Sequence, residues 1–437
     1  MALDPQEYKQ RRARREQERL ARAKKTKIKL ILAALVLVAT GVLLLFMGGK
    51  NPIAQPESTQ QSTPPAITNE AATLPAETDG EELPPETTGN SKVKPDTVIR
   101  LAAAGDLNIN EAVVQAGGLN YDYTNLFMDI AHLLGDADIT AVNFEGVMTG
   151  PPYGSNGSAP SALLEALSDA GVDLLQMANS YSIHHGMSGL SSTLSAVRAA
   201  GLEPLGAYAS NEEFRSSKGY TIRVVNGVKL AFVAFTKGMN GMALPAGSES
   251  CVNVLYTDYA TTYQQVDSEK ILSILNAAKK ESPDLIIAML HWGSEFNDTI
   301  SNSQKAILEL LQENGVGVVL GTHSHYVQQM LYDQEAGTFA TYSLGDFLSD
   351  TQRGGTEYSV ILELEITKNG QTGETKVTNY QYTPIFNTYS QEEPMRLVRI
   401  REAMFAYEEG YLGAVSDELY GDMQYALGRV EKRVNGG

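Results

Sequence analysis

The sequence predicts a layered α/β domain that follows a membrane anchor and a flexible stalk. Three observations support this prediction. From residue 97 onward, short apolar runs alternate with segments of helical period; residues 30–49 carry no charge; and residues 50–96 are rich in Pro, Thr, Ser and Glu. Repeated strand–helix alternation is typical of sheets covered by helices. Hydrophobic residues make up 43% of the 437-residue chain, which is enough for a buried core and argues against general disorder.

Charge and cysteine content exclude several classes of protein. The chain has 34 Lys and Arg residues against 52 Asp and Glu residues, and its formal net charge is −18. Nucleic acid is therefore not an expected partner, because it is bound mainly through basic surfaces. The single cysteine, Cys251, excludes an intrachain disulfide and a zinc site built from several cysteines.

The N-terminal segments predict a single-pass membrane protein. Residues 1–29 carry eleven Lys and Arg residues against four Asp and Glu residues, and residues 30–49 follow as an uncharged apolar run. A helix of that length spans a hydrocarbon core of about 30 Å. A secretory signal is the alternative, but its apolar part would be only about 7–15 residues long. The positive-inside rule predicts a cytoplasmic N-terminus and a main domain outside the cell membrane.

Residues 50–96 predict a linker between the membrane helix and the main domain. This stretch has no aromatic residue and no apolar period. It cannot bury enough surface to offset the entropy lost on ordering, so we expect a flexible stalk.

The α/β domain is predicted to cover residues 97–390. Helical periods occur at 191–200, 268–280 and 303–314, whereas 358–367 and 375–384 alternate like antiparallel edge strands. Residues 391–437 predict one or two amphipathic helices. The short apolar runs that predict the remaining strands are VIRLAAAGD, ITAVNFEG, VDLLQMANS, VKLAFVAFT, LIIAMLHWG, VGVVLGTHSH and FATYSLGDF.

Polar side chains cluster where these apolar runs end, and in open α/β sheets ligands bind beyond the carboxyl ends of the strands. Histidines and carboxylates that meet at such an edge suit divalent Mn, Fe or Zn. A Walker-type phosphate loop and a G-x-S-x-G nucleophile elbow are both missing from the sequence. The residues at the strand ends are Asp106, Glu145, Asn179, His291, His323, His325 and Asp346.

Six motifs, in order, resemble the CapA family of bacterial capsule-synthesis proteins, which is associated with poly-γ-glutamate. The likeness runs from about residue 98 to residue 386. The resemblance implies an α/β/β/α sandwich similar to the calcineurin-like metallophosphoesterases. The motifs are Gly105-Asp106, Asn143-Phe144-Glu145, Ala178-Asn179, His291-Trp292-Gly293-Ser294-Glu295-Phe296, Gly321-Thr322-His323-Ser324-His325 and Tyr342-Ser343-Leu344-Gly345-Asp346-Phe347.

The resemblance implies a centre of one or two divalent ions. Asp106 and His325 would ligate one ion, His291 and His323 would ligate the second, and Glu145 would bridge the two. Two neighbouring ions can neutralise charge on a phosphoryl group or a similar substrate. Asn108 stands where many phosphoesterases have a histidine ligand. The residues expected to face substrate are Asn108, Asn143, Asn179, Trp292 and Glu295.

The third motif departs from the family pattern, which resembles Ala-Asn-Asn-His-x-x-Asp-x-Gly. Ser180 replaces an amide that usually ligates metal, and Tyr181 replaces the histidine expected to protonate a leaving group. A phenol, with a pKa near about 10, matches neutral pH less well than an imidazole does. His184 stands where the family has an acid. Tyr181 and His184 are therefore the candidate catalytic residues.

Simpler interpretations remain for each residue. The strand-end histidines can be ordinary polar groups, Asp106 can cap the following turn, and Glu145 can be a buried hydrogen-bond acceptor. Three function classes follow: a capsule-polymer biosynthesis or export component that meets capsule-synthesis membrane proteins, a surface metallophosphoesterase-like hydrolase, and a non-catalytic envelope-binding protein with a degenerate site. An anionic polymer or a phosphorylated substrate would need a local basic or metal-filled cleft, because the chain itself is acidic.

Overall fold

The computed structural model describes residues 94–350, 353–388, 395–411 and 413–436. The basic segment 1–29, the anchor 30–49 and nearly all of the linker 50–96 lie outside these residues. Within the described ranges, none of the helices combines the length and apolar character needed to cross a membrane.

Within the described residues, helices separate most of the strands up to Val316–Thr322, whereas the strands from there to Arg396–Arg399 follow one another without a helix between them. The strands are β1 (Thr97–Asn108), β2 (Ile139–Glu145), β3 (Leu174–Gln176), β4 (Glu203–Leu205), β5 (Tyr220–Val225), β6 (Val228–Thr236), β7 (Leu285–His291), β8 (Val316–Thr322), β9 (Met330–Asp333), β10 (Thr338–Thr341), β11 (Asp346–Leu348), β12 (Tyr358–Lys368), β13 (Thr375–Thr388) and β14 (Arg396–Arg399). The α-helices are α1 (Glu111–Gln115), α2 (Thr124–Phe127), α3 (Ala131–Gly135), α4 (Ser161–Ala170), α5 (Gly186–Ala199), α6 (Asn211–Ser217), α7 (Ser268–Lys279), α8 (Asn302–Glu313), α9 (Ile400–Glu408) and α10 (Asp417–Val434).

These strands form two mixed sheets. The first sheet has the strand order β14-β13-β12-β1-β2-β3-β4, with β11 also paired to β1. The second has the order β5-β6-β7-β8-β10-β9. Strands β1 to β4 run parallel, as do β6 to β8, so the carboxyl ends of several strands share one edge in each sheet.

The two sheets pack face to face with helices on both outer sides. Inner-face side chains of the first sheet, such as Leu101 and Leu174, share one buried cluster with Phe232 and Leu320 of the second. Helices α4 and α5 cover the outer face of the first sheet, and α7 and α8 cover that of the second. The predicted α/β layering is therefore confirmed.

Helix α8 illustrates how local sequence produces these elements. The Ser301 hydroxyl accepts a hydrogen bond from the backbone N–H of Gln304, and the Gln304 side chain accepts one from the backbone N–H of Ser301. Together these two bonds form a capping box. Ile307, Leu308 and Leu311 follow on one face and are buried. The helical period at 303–314 thus predicts this helix to within two residues.

The C-terminal region differs from the prediction. Residues 396–399 form the edge strand β14, so β12 and β13 lie inside the sheet. The reason is that Leu397 and Val398 point to opposite faces of the strand and are both buried, Leu397 against the outer cluster of the first sheet and Val398 in the cluster between the sheets. Helices α9 and α10 follow as predicted, and Met423 and Val430 of α10 reach the cluster between the sheets.

Candidate metal centre

Six buried side chains at the edge of the sheets form two groups that could each hold a metal ion. Within each group, one ligand atom per residue lies within 4.8 Å of the others. All six side chains are buried. The first group is Asp106, His325 and Asp346, and the second is Glu145, His291 and His323.

Parallel strand ends bring these residues together. Asp106 lies near the carboxyl end of β1, and Glu145 ends the adjacent β2. His291 ends β7 in the other sheet, and His323 follows β8 directly. The five ligands implied by the resemblance are thus neighbours, although they lie up to 219 residues apart in sequence, from 106 to 325.

Asp346 is a sixth member, which the sequence placed at a strand end but did not assign to the site. It begins β11, which pairs in parallel with β1 so that Asp346 is opposite Asp106. Two glycines permit this approach: a Cβ on Gly105 would lie 1.8 Å from the Gly345 carbonyl oxygen, and Gly345 has a φ of +81°. The neighbouring His325 Nδ1 lies 2.7 Å from Asp346 Oδ1.

Asp106, a member of the first group, also lies close to a histidine of the second group. Its Oδ1 is 3.9 Å from His291 Nδ1, and its Oδ2 is 3.9 Å from His325 Nδ1. Glu145 Oε1 lies 3.2 Å from His291 Nδ1. The resemblance assigns the bridging position to Glu145, whereas in this geometry Asp106 is the carboxylate that reaches histidines of both groups.

The loop after β8 has an unusual backbone. His323 and His325 have φ values of +88° and +61°, a left-handed region that costs residues other than glycine about 1–3 kcal/mol. The backbone N–H of His323 donates to Asp106 Oδ2 at 2.8 Å, which holds the loop against β1. Such strain is tolerated mainly where the surroundings hold it in place, as at binding sites.

His323 provides the test of whether these residues fit a metal. Both of its ring nitrogens are buried and have no hydrogen-bond partner within the described part of the chain. A buried polar atom without a partner is costly, and a metal ion would satisfy it. Carboxylate oxygens and imidazole nitrogens are also the ligands that Mn, Fe and Zn accept. The donor set fits a divalent ion.

The carboxylates of the cluster hold protons more tightly than usual. Burial raises the pKa of Asp106 to about 6, against the opposing influence of His325. Burial also raises the pKa of Glu145 well above its ordinary value, and that of Asp346 in the same direction. Removing these groups from water disfavours their charged forms, which a cation would restore.

The histidines divide into two kinds. Burial lowers the pKa of His291 and of His323 well below the ordinary value, so both imidazoles are neutral and able to ligate. Burial acts in the same direction on His325, but the facing carboxylates, Asp346 foremost, together outweigh it and raise the pKa of His325 to about 10. His325 therefore carries a proton at neutral pH in the metal-free protein.

Two asparagines predicted to face substrate instead hold the ligands in place. Asn143 and Asn179 are 0% and 1% exposed. The Asn143 amide donates to Asp106 Oδ1 at 2.6 Å and to Glu145 Oε1 at 3.1 Å. The Asn179 amide donates to Asn143 Oδ1 and to the Phe144 carbonyl. This placement corrects the prediction, because amides spent on protein partners are not available to a ligand.

Trp292 also differs from its predicted role. Its ring is 0% exposed, stacks on Tyr342, and donates its indole N–H to the Tyr342 carbonyl at 2.9 Å. It is a core residue and has no surface for a substrate. Asn108 is partly exposed and donates to Asp346 Oδ1 at 3.1 Å, so it lies beside the first group. Glu295 is exposed next to His323 in a small cavity.

The altered third motif lies against the second group. Ser180 Oγ is 3.0 Å from His291 Nε2. Burial and the Glu145 carboxylate raise the pKa of Tyr181, so the phenol keeps its proton at neutral pH. His184 is exposed, with its ring against Tyr181 and His185, and it belongs to neither group.

Lys237 was not singled out from the sequence. It directly follows the apolar run of β6, and β6 pairs in parallel with β7 so that Thr236 is opposite His291. Its position in the sequence could have identified it, because it is the first charged residue after β6, a strand that ends at the same sheet edge as β7 and His291.

The fold has two mixed sheets, and histidines and carboxylates meet at their edge. One solved structure, the calcineurin-like phosphoesterase YfkN from Bacillus subtilis, is similar at 15% identity and a TM-score of 0.40, covering 76% of this chain and 100% of that one. A family model described as "Bacterial capsule synthesis protein PGA_cap" matches residues 100–351, and the chain belongs to this family.

Two relatives carry names that agree with this family. The "PGA biosynthesis protein CapA" of Bacillus subtilis (strain 168) is 25% identical over 297 residues, which is 66% of this chain and 72% of that protein. The "Capsule biosynthesis protein CapA" of Bacillus anthracis is 27% identical over 213 residues. That second match spans 49% of this chain and about half (49%) of the relative's length.

Proposed function

We propose that this chain is a membrane-anchored, extracytoplasmic protein that takes part in the biosynthesis or export of a capsule polymer of the poly-γ-glutamate type, and that it binds divalent metal at the edge of its sheets. The observation that carries the metal proposal is the pair of adjoining buried groups, which contain three histidines and three carboxylates. The names of the two CapA relatives support a role in forming the capsule polymer, and the sequence of residues 1–49 supports the membrane anchor.

Each group of residues would bind one metal ion. Asp106, His325 and Asp346 would hold one ion, and Glu145, His291 and His323 would hold the other. Asn143 orients two of these carboxylates through its amide, and such outer contacts tune metal affinity. Bound divalent ions would act as Lewis acids toward a phosphoryl or carboxyl oxygen and neutralise its charge.

A metal-dependent hydrolase is the second candidate function, and Tyr181 is the observation that favours it. Its phenol lies within electrostatic range of Glu145 and keeps its proton at neutral pH. It could therefore donate that proton to a leaving group. The first candidate function, a role in polymer biosynthesis or export, would involve capsule-synthesis membrane proteins as partners. That role does not require proton transfer from Tyr181.

Metal content of the full chain, measured by elemental analysis after purification with Mn²⁺ or Zn²⁺, tests the metal proposal. We expect about two ions per chain, with the His291→Ala and His325→Ala variants each losing about one because each removes a ligand from one group. The His323→Ala, His325→Ala double variant should lose both. His132→Ala is the matched control, since His132 lies in α3 and in neither group.

The role in polymer formation is tested in cells that make the polymer. Cells that lack this chain should make less surface polymer, and the double variant should fail to restore it while His132→Ala restores it fully. A folded chain that takes up no metal when metal is supplied refutes the metal proposal. Tyr181→Phe separates the candidates: loss of phosphodiester or polymer hydrolysis at unchanged metal content supports the hydrolase.

A further inference from the structure

A small polar cavity opens beside the second group of the candidate metal centre. Its volume is about 220 Å³, and His323 forms part of its wall. It is smaller than a drug-sized pocket and would accommodate a single small polar group. The remaining polar side chains that line it are Ser180, Lys237, Asn240, Tyr263, Ser294 and Glu295.

Lys237 is held at the wall of this cavity by three contacts. Its backbone N–H donates to the His291 carbonyl at 2.7 Å, and its Nζ donates to the Gly293 carbonyl at 2.7 Å. The ammonium also lies 4.7 Å from the centre of the Tyr263 ring. An ammonium has three N–H donors, so two remain after the bond to Gly293.

The charge of Lys237 reaches the metal-binding side chains. Burial is the main cause of the low pKa of His291 and His323, and the nearby Lys237 ammonium adds to it in both cases. Glu295 is exposed at the mouth of the cavity and interacts electrostatically with Lys237. An incoming anion would therefore compete with the Glu295 carboxylate for the ammonium.

We propose that this cavity is a subsite for an oxyanion of the substrate, either a carboxylate or a phosphoryl group, and that Lys237 is the residue that binds it. The inference rests on the proposed function, because it places the anion next to the metal-binding groups. A chain with a net charge of −18 repels a polyanion, and a cation at the site offsets this repulsion locally. The Ser294 hydroxyl and the Asn240 amide supply further hydrogen-bond donors.

Binding of two probes to the full chain tests the subsite. Inorganic phosphate and a γ-linked glutamate trimer are titrated by calorimetry into the metal-loaded and the metal-free protein. Loss of one charge-assisted hydrogen bond should weaken binding by about 10- to 100-fold in Lys237→Met, whereas Lys237→Arg should keep most of the affinity. Glu295→Gln should strengthen binding, because it removes the competing carboxylate. Lys305→Met, an exposed lysine of α8, is the matched control and should change nothing.

The two probes separate the sources of the oxyanion. Dependence on Lys237 for phosphate alone assigns a phosphoryl group, and dependence for the glutamate trimer alone assigns a carboxylate. Either result supports the subsite. Unchanged affinity for both probes in a folded Lys237→Met variant overturns it.

Two measurements keep this test separate from that of the proposed function. Metal content of each variant is measured alongside, so that failure of the subsite at normal metal content leaves the metal proposal standing. The metal-free titration still tests Lys237 if no metal binds. If Lys237→Met fails to fold, the surface variant Glu295→Gln decides, and unchanged probe affinity in that variant refutes the inference.

Discussion

Metal binding by the Asp106, His325 and Asp346 group should depend steeply on pH. Burial alone lowers the pKa of His325, but the facing carboxylates, Asp346 foremost, raise it to about 10. The ring nitrogen that faces both aspartates, Nδ1, lies 2.7 Å from Asp346 Oδ1 and carries a proton at neutral pH. An ion that binds among these side chains must displace this proton.

The size of the effect follows from that displacement. When one proton is released for each ion bound, affinity rises about tenfold per pH unit, or about 1.4 kcal/mol. The slope holds below the pKa of His325, which is about 10, and Asp106, with a pKa of about 6, is largely ionised above about pH 6.5. Between about pH 6.5 and 8.5, affinity for this group should therefore rise about 100-fold.

The measurement uses the His291→Ala variant of the full chain, in which only this group keeps all three ligands. Calorimetric titration with Mn²⁺ in two buffers of different ionisation enthalpy counts the protons released, and about one per ion is expected. Asp346→Asn removes the main group that raises the pKa of His325, so the protons released and the pH slope should both fall. A pH-independent affinity with no proton release would refute the reasoning.

Two substitutions test the packing that places the site, both by thermal denaturation. Gly105→Ala should lower the free energy of unfolding by about 1–3 kcal/mol, because its Cβ would lie 1.8 Å from the Gly345 carbonyl oxygen. The control Gly421→Ala, at an open position in α10, should raise stability by about 0.5–1 kcal/mol; equal melting of the two variants contradicts the close approach. Arg433→Met should cost about 1–3 kcal/mol, because the buried guanidinium lies 4.6 Å from the Tyr326 ring. An unchanged melting temperature would mean that this contact contributes nothing.

Much of the site could be predicted because strand ends can be read from the sequence. His291 and His323 each come at or directly after a continuous apolar run, and in parallel sheets such residues meet at one edge. The apolar runs also predict the strands themselves. They do not say which strand belongs to which sheet, because every buried parallel strand has the same apolar pattern.

The remaining features depend on contacts between distant segments. Asp346 belongs to the first group because the short strand β11 pairs with β1, which two glycines permit. Trp292 follows a predicted ligand, yet its ring turns into the core, and sequence spacing does not determine side-chain direction after a strand ends. Asn143 and Asn179 are residues of a type that commonly binds substrate. Only their hydrogen bonds show that they hold the metal-binding side chains in place.

The position of β1 has a mechanical consequence. The chain that precedes the domain joins it at Thr97, and β1 is held between β12 on one side and β2 on the other. A force applied to Thr97 along the axis of β1 would load the hydrogen bonds to β12 and β2 together instead of one at a time. Asp106 is also the ninth residue after Thr97 along the strand, which at about 3.3 Å per residue is about 30 Å. A chain tethered through residues 50–96 would therefore be pulled at the end of the strand far from the candidate metal centre, and the central strand would resist the load before it reached Asp106.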